Sequence, residues 1–159
     1  MAESHTTPES PSSAPARNRQ RRRPKPVTAE RLHKAALHYL ERYASSAENL
    51  QRVLRRRVER SARLHGTDRD EAEAWIAAIA SRLASAGLLD DRTYAEGRAF
   101  SLHRRGASLR RIAGMLRQKG VGDDDIEAAL RSLADVSPAP DLEAAVRLAR
   151  RRRFGPWRD

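Results

Sequence analysis

The sequence predicts an all-α protein made of tandem three-helix repeats, an elongated curved array whose third repeat is incomplete. Three observations predict it. From Thr28 onward apolar residues recur at helical spacing, and no stretch alternates apolar and polar as a half-buried strand does. Capping residues and glycines punctuate the chain where each helix should start and stop. The pattern also repeats when the chain is shifted by 62 residues.

Thr28 is placed to cap a first helix, whose Leu32, Ala35, Ala36, Tyr39, Leu40 and Tyr43 form one apolar stripe. Arg31 stands where a reciprocal capping box needs an acid, so the box is incomplete. Ser45 or Ser46 caps a second helix. Leu50, Val53, Leu54 and Val58 face inward, Arg52, Arg55, Arg56, Arg57 and Arg60 face outward, and Gly66 breaks it. Thr67-Asp68 restart a third helix with Glu71 in its first turn, where a negative charge suits the helix dipole. Its stripe is Ala72, Ile76, Ile79, Leu83 and Ala86. Trp75 is assigned to the core, with an exposed partner anchor as the alternative, and Gly87 ends the helix.

Asp90-Asp91 open a fourth helix that runs through Arg105 to Gly106. One of the two carboxylates accepts that helix's orphan amides and fixes the turn joining two units. Ser108 caps a fifth, with Ile112, Met115 and Leu116 inward and Gly120 at its end. Gly114 in its middle costs about 1 kcal/mol relative to Ala, and close approach of another helix is the expected reason. Asp123-Asp124-Asp125 start a sixth helix as caps and dipole partners, with Ile126, Ala129, Leu130 and Leu133 inward. Ser137-Pro138-Ala139-Pro140 is a spacer, and a seventh helix runs from about Asp141 to Phe154.

At a shift of 62, Leu40 falls on Leu102, Arg42 on Arg104, Ser46 on Ser108, Leu50 on Ile112, Leu54 on Leu116, Arg55 on Arg117 and Arg57 on Lys119. Helices three and six align at a shift of 47, which leaves an insertion of 15 residues around Glu59–Asp70. Helix seven begins a third unit, since Leu148 and Arg150 match Leu102 and Arg104 at a shift of 46. The expected division is a tail at 1–26, a first repeat at 27–88, a second at 89–136 and a third begun at 141–159. A three-helix unit hides its stripe only partly. End-to-end stacking is expected to bury the rest and to offer a long groove rather than a pocket.

Composition bounds the chemistry. There is no cysteine, which excludes disulfides, cysteine–zinc sites and thiol catalysis. There is no apolar run of 18 residues and no apolar N-terminal segment, so neither a membrane span nor a secretory leader is expected, and the chain is placed in the cytoplasm. Thirty-two Lys plus Arg against 21 Asp plus Glu leave a net +11, which points to a polyanionic partner. Aromatics make up 4%, thin for stacking several single-stranded bases, so DNA binding alone should be weak, salt-sensitive and sequence-blind.

Residues 1–26, rich in Ser, Pro and Arg, read as disordered: either a solvating tail or an arm for polyanions. A charge run is ordinarily a solvated helix face. Here three runs recur at equivalent places: Arg52, Arg55, Arg56 and Arg57 in unit one; Arg104, Arg105, Arg110, Arg111, Arg117 and Lys119 in unit two; and Arg150, Arg151, Arg152 and Arg153 at the start of unit three. Arginine forks phosphate or carboxylate, so these fourteen residues are the candidate partner-binding set.

No catalytic constellation is legible. His5, His33, His38, His65 and His103 make no metal-binding pair at helical spacing and read as solvated helix residues. No Gly-rich phosphate loop is present, and Ser46 and Ser108 read as caps. A non-enzymatic binding protein without cofactor, acting as a monomer, is expected.

Three segments then carry a resemblance. Ala36–Ser46 (ALHYLERYASS), Leu83–Ala95 (LASAGLLDDRTYA) and Arg104–Val121 (RRGASLRRIAGMLRQKGV) resemble the RecX regulatory proteins, which modulate the RecA recombinase. The match is most specific at Gly87–Tyr94 and Gly106–Gly120 and covers about residues 30–155. The resemblance implies tandem three-helix repeats lying along the groove of a RecA–DNA filament. It also implies inhibition or tuning of RecA's ATP hydrolysis, strand exchange and coprotease roles. The chain departs from the family in its insertion after Arg57 and in the short third unit. A general basic nucleic-acid-binding module is the alternative.

Overall fold

The computed structural model describes residues 25–157, so the expectation for the basic tail lies almost wholly outside the described residues. Within them are seven α-helices and no strand: α1 (Ala29–Leu40), α2 (Ala47–His65), α3 (Arg69–Ser85), α4 (Asp91–Arg104), α5 (Leu109–Gln118), α6 (Asp123–Val136) and α7 (Pro140–Arg152). A short 3-10 turn, Gly155–Trp157, follows α7. No helix among the described residues is long and apolar enough to cross a membrane.

The capping chemistry sets most boundaries. Thr28, Ser46, Asp68, Asp90 and Ser108 each accept, through the side chain, the amide three residues on. Of the two open pairs, Ser46 and Asp90 are the caps of their own helices. α6 departs from the expectation. Gly122 is its N-cap and no side chain caps it, so Asp123, Asp124 and Asp125 sit inside the first turn and favour the helix through its dipole rather than as caps. α3, α4 and α5 end alike: the amide two residues beyond the last turn reaches back in the bonds Leu88 to Leu83, Ala107 to Leu102 and Val121 to Leu116.

Two cores result, not one. Leu32 and Ala36 of α1, Leu50, Leu54 and Val58 of α2, and Ala72, Ile76, Ile79 and Leu83 of α3 close the first, with Leu89 of the connection added to it. Ala95, Ala99 and Leu102 of α4, Ile112, Ala113 and Leu116 of α5, and Ile126, Ala129 and Leu133 of α6 close the second. The expected end-to-end burial of a shared stripe does not occur between these two units. Each three-helix unit satisfies its own apolar face, and no helix of the first packs lengthwise on a helix of the second. The junction is polar instead.

Smaller departures have local causes. Ala86 is exposed because it is the cap beyond the last turn of α3, and Ala80 is buried instead. Tyr43 lies past the end of α1 and is 56% exposed. Val53, Met115 and Leu130 are only half-buried, at the edges of their stripes. A methyl added at Gly114 would meet nothing, so close helix approach does not explain that glycine: α5 packs through Ile112, Ala113 and Leu116. Trp75 is half-buried against the first core, as its assignment expected. α7 packs on α4 but buries only Ala144 fully, leaving Leu142 exposed.

Candidate functional site

The junction between the first two units is built from helix ends. Ser46, while capping α2, donates its hydroxyl proton to the carbonyl of Lys119 at the end of α5. Arg52 Nη1 donates to the carbonyl of Gln118 at 2.6 Å, and Lys119 Nζ donates to Asn49 Oδ1 at 3.4 Å. Gly120, at φ 76°, lies against the Glu48 side chain so closely that an added Cβ would collide with it. From the other side, Asp91 Oδ1 accepts the amide of Ala47 at 2.7 Å. Burial lifts the Asp91 carboxyl above the ordinary aspartate value; the Ala47 amide opposes the lift, and the charges of Asp125 and Asp90 add to it.

The link from the second unit to α7 follows the same rule. Asp141 Oδ1 accepts the amide of Leu109, the first residue of α5, at 2.8 Å. Gly106, at φ 81°, is pressed by the Ala144 carbonyl and Leu148 of α7. The sequence reads His103 as a solvated helix residue, yet it is buried between α4 and α7. Arg147 donates to its Nδ1 at 2.9 Å, and Nε2 lies 2.8 Å from the Pro140 carbonyl. Because guanidinium only donates, Nδ1 must accept and Nε2 must carry the proton. The other sequence-predicted histidines in the described region stay at the surface or half-buried, and His33 Nδ1 has no partner.

The candidate cations divide into two groups. Some are engaged inside the protein. Arg55 is half-buried and bonds Glu73 at 2.6 Å and Glu48 at 3.1 Å, and the Glu73 hydrogen bond holds the guanidinium charged. Arg52 pairs with Glu48 at 3.1 Å, Arg117 with Asp123 at 2.9 Å, Lys119 donates to Asn49 as above, and Arg150 lies over the Trp157 ring at 5.3 Å. The rest are exposed, and among the described residues they make no ion pair or side-chain hydrogen bond: Arg56, Arg57, Arg104, Arg105, Arg110, Arg111, Arg151, Arg152 and Arg153. Arg104, Arg105, Arg110 and Arg111 flank the α4–α5 turn. Asp141, the carboxylate that reaches this turn, accepts the Leu109 amide and pairs with none of the four arginines.

Sequence reasoning missed one feature. A groove of about 700 Å³ opens between the units and is lined by all three tyrosines of the chain, Tyr39, Tyr43 and Tyr94, together with Arg42, Arg98 and Lys119. Counting aromatics could not reveal it, because Tyr39 and Tyr43 belong to α1 and the loop after it, Tyr94 belongs to α4, and only the junction gathers them. No group of three His, Cys, Asp or Glu able to hold a metal occurs among the described residues.

Comparison with known proteins fits this arrangement. The family model described as RecX, second three-helix domain, matches residues 90–130, from the start of α4 into α6. The chain is 46% identical over 138 residues to the regulatory protein RecX of Myxococcus xanthus (strain DK1622), covering 86% of this chain and 72% of that one. It is 38% identical over 104 residues to the regulatory protein RecX of Mycobacterium sp. (strain JLS), covering 64% of this chain and 55% of that one. It is 44% identical over 70 residues to the regulatory protein RecX of Agrobacterium fabrum (strain C58), covering 44% of this chain and 35% of that one. No solved structure matches.

Proposed function

The chain belongs to the RecX family of regulatory proteins, and from that membership we propose that it binds the RecA recombinase and its DNA filament and inhibits RecA. The affected activities are ATP hydrolysis, strand exchange and the coprotease role. The units lie along the filament, divided as 27–88, 89–136 and a third begun at 141–159. The protein acts in the cytoplasm as a monomer, without catalysis of its own, and touches DNA weakly and without sequence preference.

The observation that supports this most is the unpaired set Arg104, Arg105, Arg110 and Arg111 around one turn, with Arg56 and Arg57 in the first unit and Arg151, Arg152 and Arg153 after the second. Free guanidinium groups on successive units suit a periodic, acidic partner. They are exposed and make no ion pair among the described residues, so an incoming carboxylate or phosphate meets no internal competitor for them. Arg52, Arg55 and Arg117 belong to the binding set only if their internal partners are exchanged for the filament's.

The test is RecA's DNA-stimulated ATPase with sub-stoichiometric protein. Inhibition well below one copy per RecA supports filament binding. Inhibition that appears only at excess, and is relieved by added DNA, supports a general basic DNA binder instead.

A further inference from the structure

We propose that the groove between the first two units is a binding site for single-stranded nucleic acid, in which a base stacks on Tyr43 while Arg98 takes the adjoining phosphate. The proposal rests on the nucleic-acid half of the function above and on four observations of its own.

The first is convergence. Every tyrosine of the chain reaches this one groove, Tyr39 from α1, Tyr43 from the loop after it and Tyr94 from α4. Tyr39 and Tyr94 are seated on different cores. The aromatic wall therefore exists only while the two units hold their relative position.

The second is exposure. Tyr39 is anchored, since Asn49 Nδ2 donates to its hydroxyl at 3.2 Å. Its ring meets that of Tyr43 at 5.1 Å between centroids, tilted by 42°. Tyr43 is thereby braced on one side, and 56% of it still faces solvent. A ring fixed from behind and open in front is a stacking platform that has already given up its rotational freedom.

The third is charge. Arg42, Arg98 and Lys119 line the groove against one carboxylate, Asp90. That carboxylate is occupied by the amide and hydroxyl of Thr93. Arg98 is half-buried and has no ion pair or hydrogen bond of its side chain among the described residues. A guanidinium that is partly desolvated and unpaired is satisfied by an anion from outside.

The fourth is shape. The groove is open and of a size that takes a small flat ligand. Its tyrosines present apolar faces with polar tips, which tolerate any base. Bases paired within a duplex hide those faces, so the site distinguishes single strands from double strands.

The test uses the full chain with a fluorescent fifteen-nucleotide oligothymidylate, the matching oligoadenylate and a duplex of the same length, with anisotropy read across a salt series. Tyr43→Ala should weaken single-strand binding roughly 5- to 100-fold, by the same factor at every salt concentration. Duplex binding should stay unchanged. Tyr43→Phe should bind like the native chain, and Tyr43→Leu should bind like Tyr43→Ala. Arg98→Ala should flatten the slope of log affinity against log salt by about 0.7, the loss of one single-strand phosphate contact.

Native single-strand affinity in a folded Tyr43→Ala chain overturns the proposal, as does an equal loss on the duplex. Full binding by Tyr43→Leu also overturns it, because a groove indifferent to the ring is an apolar seat for a protein segment. RecA is absent from this experiment, so its failure leaves the ATPase test of the filament reading untouched.

Discussion

Asp91, the first residue of α4, accepts the backbone amide of Ala47, the first residue of α2, at 2.7 Å. The second unit thus supplies a cap to a helix of the first. Asp141 of α7 does the same for Leu109 of α5 at 2.8 Å, and Ala47 and Leu109 are the residues that the 62-residue shift superposes. The repeat is therefore visible in how units are joined as well as in how each is built.

This joint predicts a pH dependence. The Asp91 carboxyl is raised above its ordinary value chiefly by burial, so the folded chain holds that proton more tightly than the unfolded chain. Its stabilising contribution is complete below the unfolded value and is lost as pH rises through the folded value. Asp91→Asn keeps an oxygen that accepts the Ala47 amide and removes the charge. It should match or exceed the native unfolding midpoint at pH 7, and the two curves should converge on acidification. Asp91→Ala, which loses the bond, should fall below Asp91→Asn by about 1 kcal/mol. An Asn variant markedly less stable than native at pH 7 would contradict the assignment.

Two glycines separate backbone strain from inter-unit contact. Gly87 and Gly120 both have positive φ, 71° and 76°, but a methyl at Gly87 meets nothing and one at Gly120 strikes Glu48. Gly87→Ala should cost about 1 to 2 kcal/mol, the strain of a left-handed residue. Gly120→Ala should cost about 1 to 3 kcal/mol more, the cost of forcing two packed surfaces apart. Equal losses in urea unfolding would mean that the junction yields freely.

α7 hangs on His103. His103→Leu leaves the Pro140 carbonyl without its donor and removes the acceptor of Arg147. The expected loss is about 1 to 3 kcal/mol, confined to the last helix. Hydrogen exchange should show α7 amides losing protection while α1, α2 and α3 keep theirs. Uniform loss across all units would show that the His103 contact supports the whole chain.

The exposed α5 face gives the sharpest functional contrast. Reversing Arg110, Arg111 and Arg117 to Glu should abolish the effect on RecA's ATPase. It should lower stability by no more than about 1 kcal/mol, because only Arg117 has an internal partner. Arg55→Glu should do the opposite. It breaks the bonds to Glu73 and Glu48, so its main effect is on the unfolding midpoint. Unchanged inhibition by the folded triple variant would move the contact surface to α2 or to Arg151–Arg153.

The sequence by itself determined the seven helices and their order, because capping, glycine punctuation and the 3.6-residue stripe are local signals that no distant residue overrides. Thr28, Ser46, Asp68, Asp90 and Ser108 start their helices where residue type and spacing require. The repeat was legible for the same reason, since each unit reuses the same local pattern. What the sequence could not determine is everything made by bringing separate units together. It did not give the acceptor role of Asp91 for a helix of the other unit, the burial of His103 or the division of the arginines into paired and unpaired. Nor did it give the gathering of Tyr39, Tyr43 and Tyr94 into one groove. Local pattern fixes which face of a helix turns inward, but contacts between Ser46 and Lys119, 73 residues apart, depend on how two closed cores dock. That docking is decided by a few hydrogen bonds and one crowded glycine, Gly120, which leave no periodic trace along the chain.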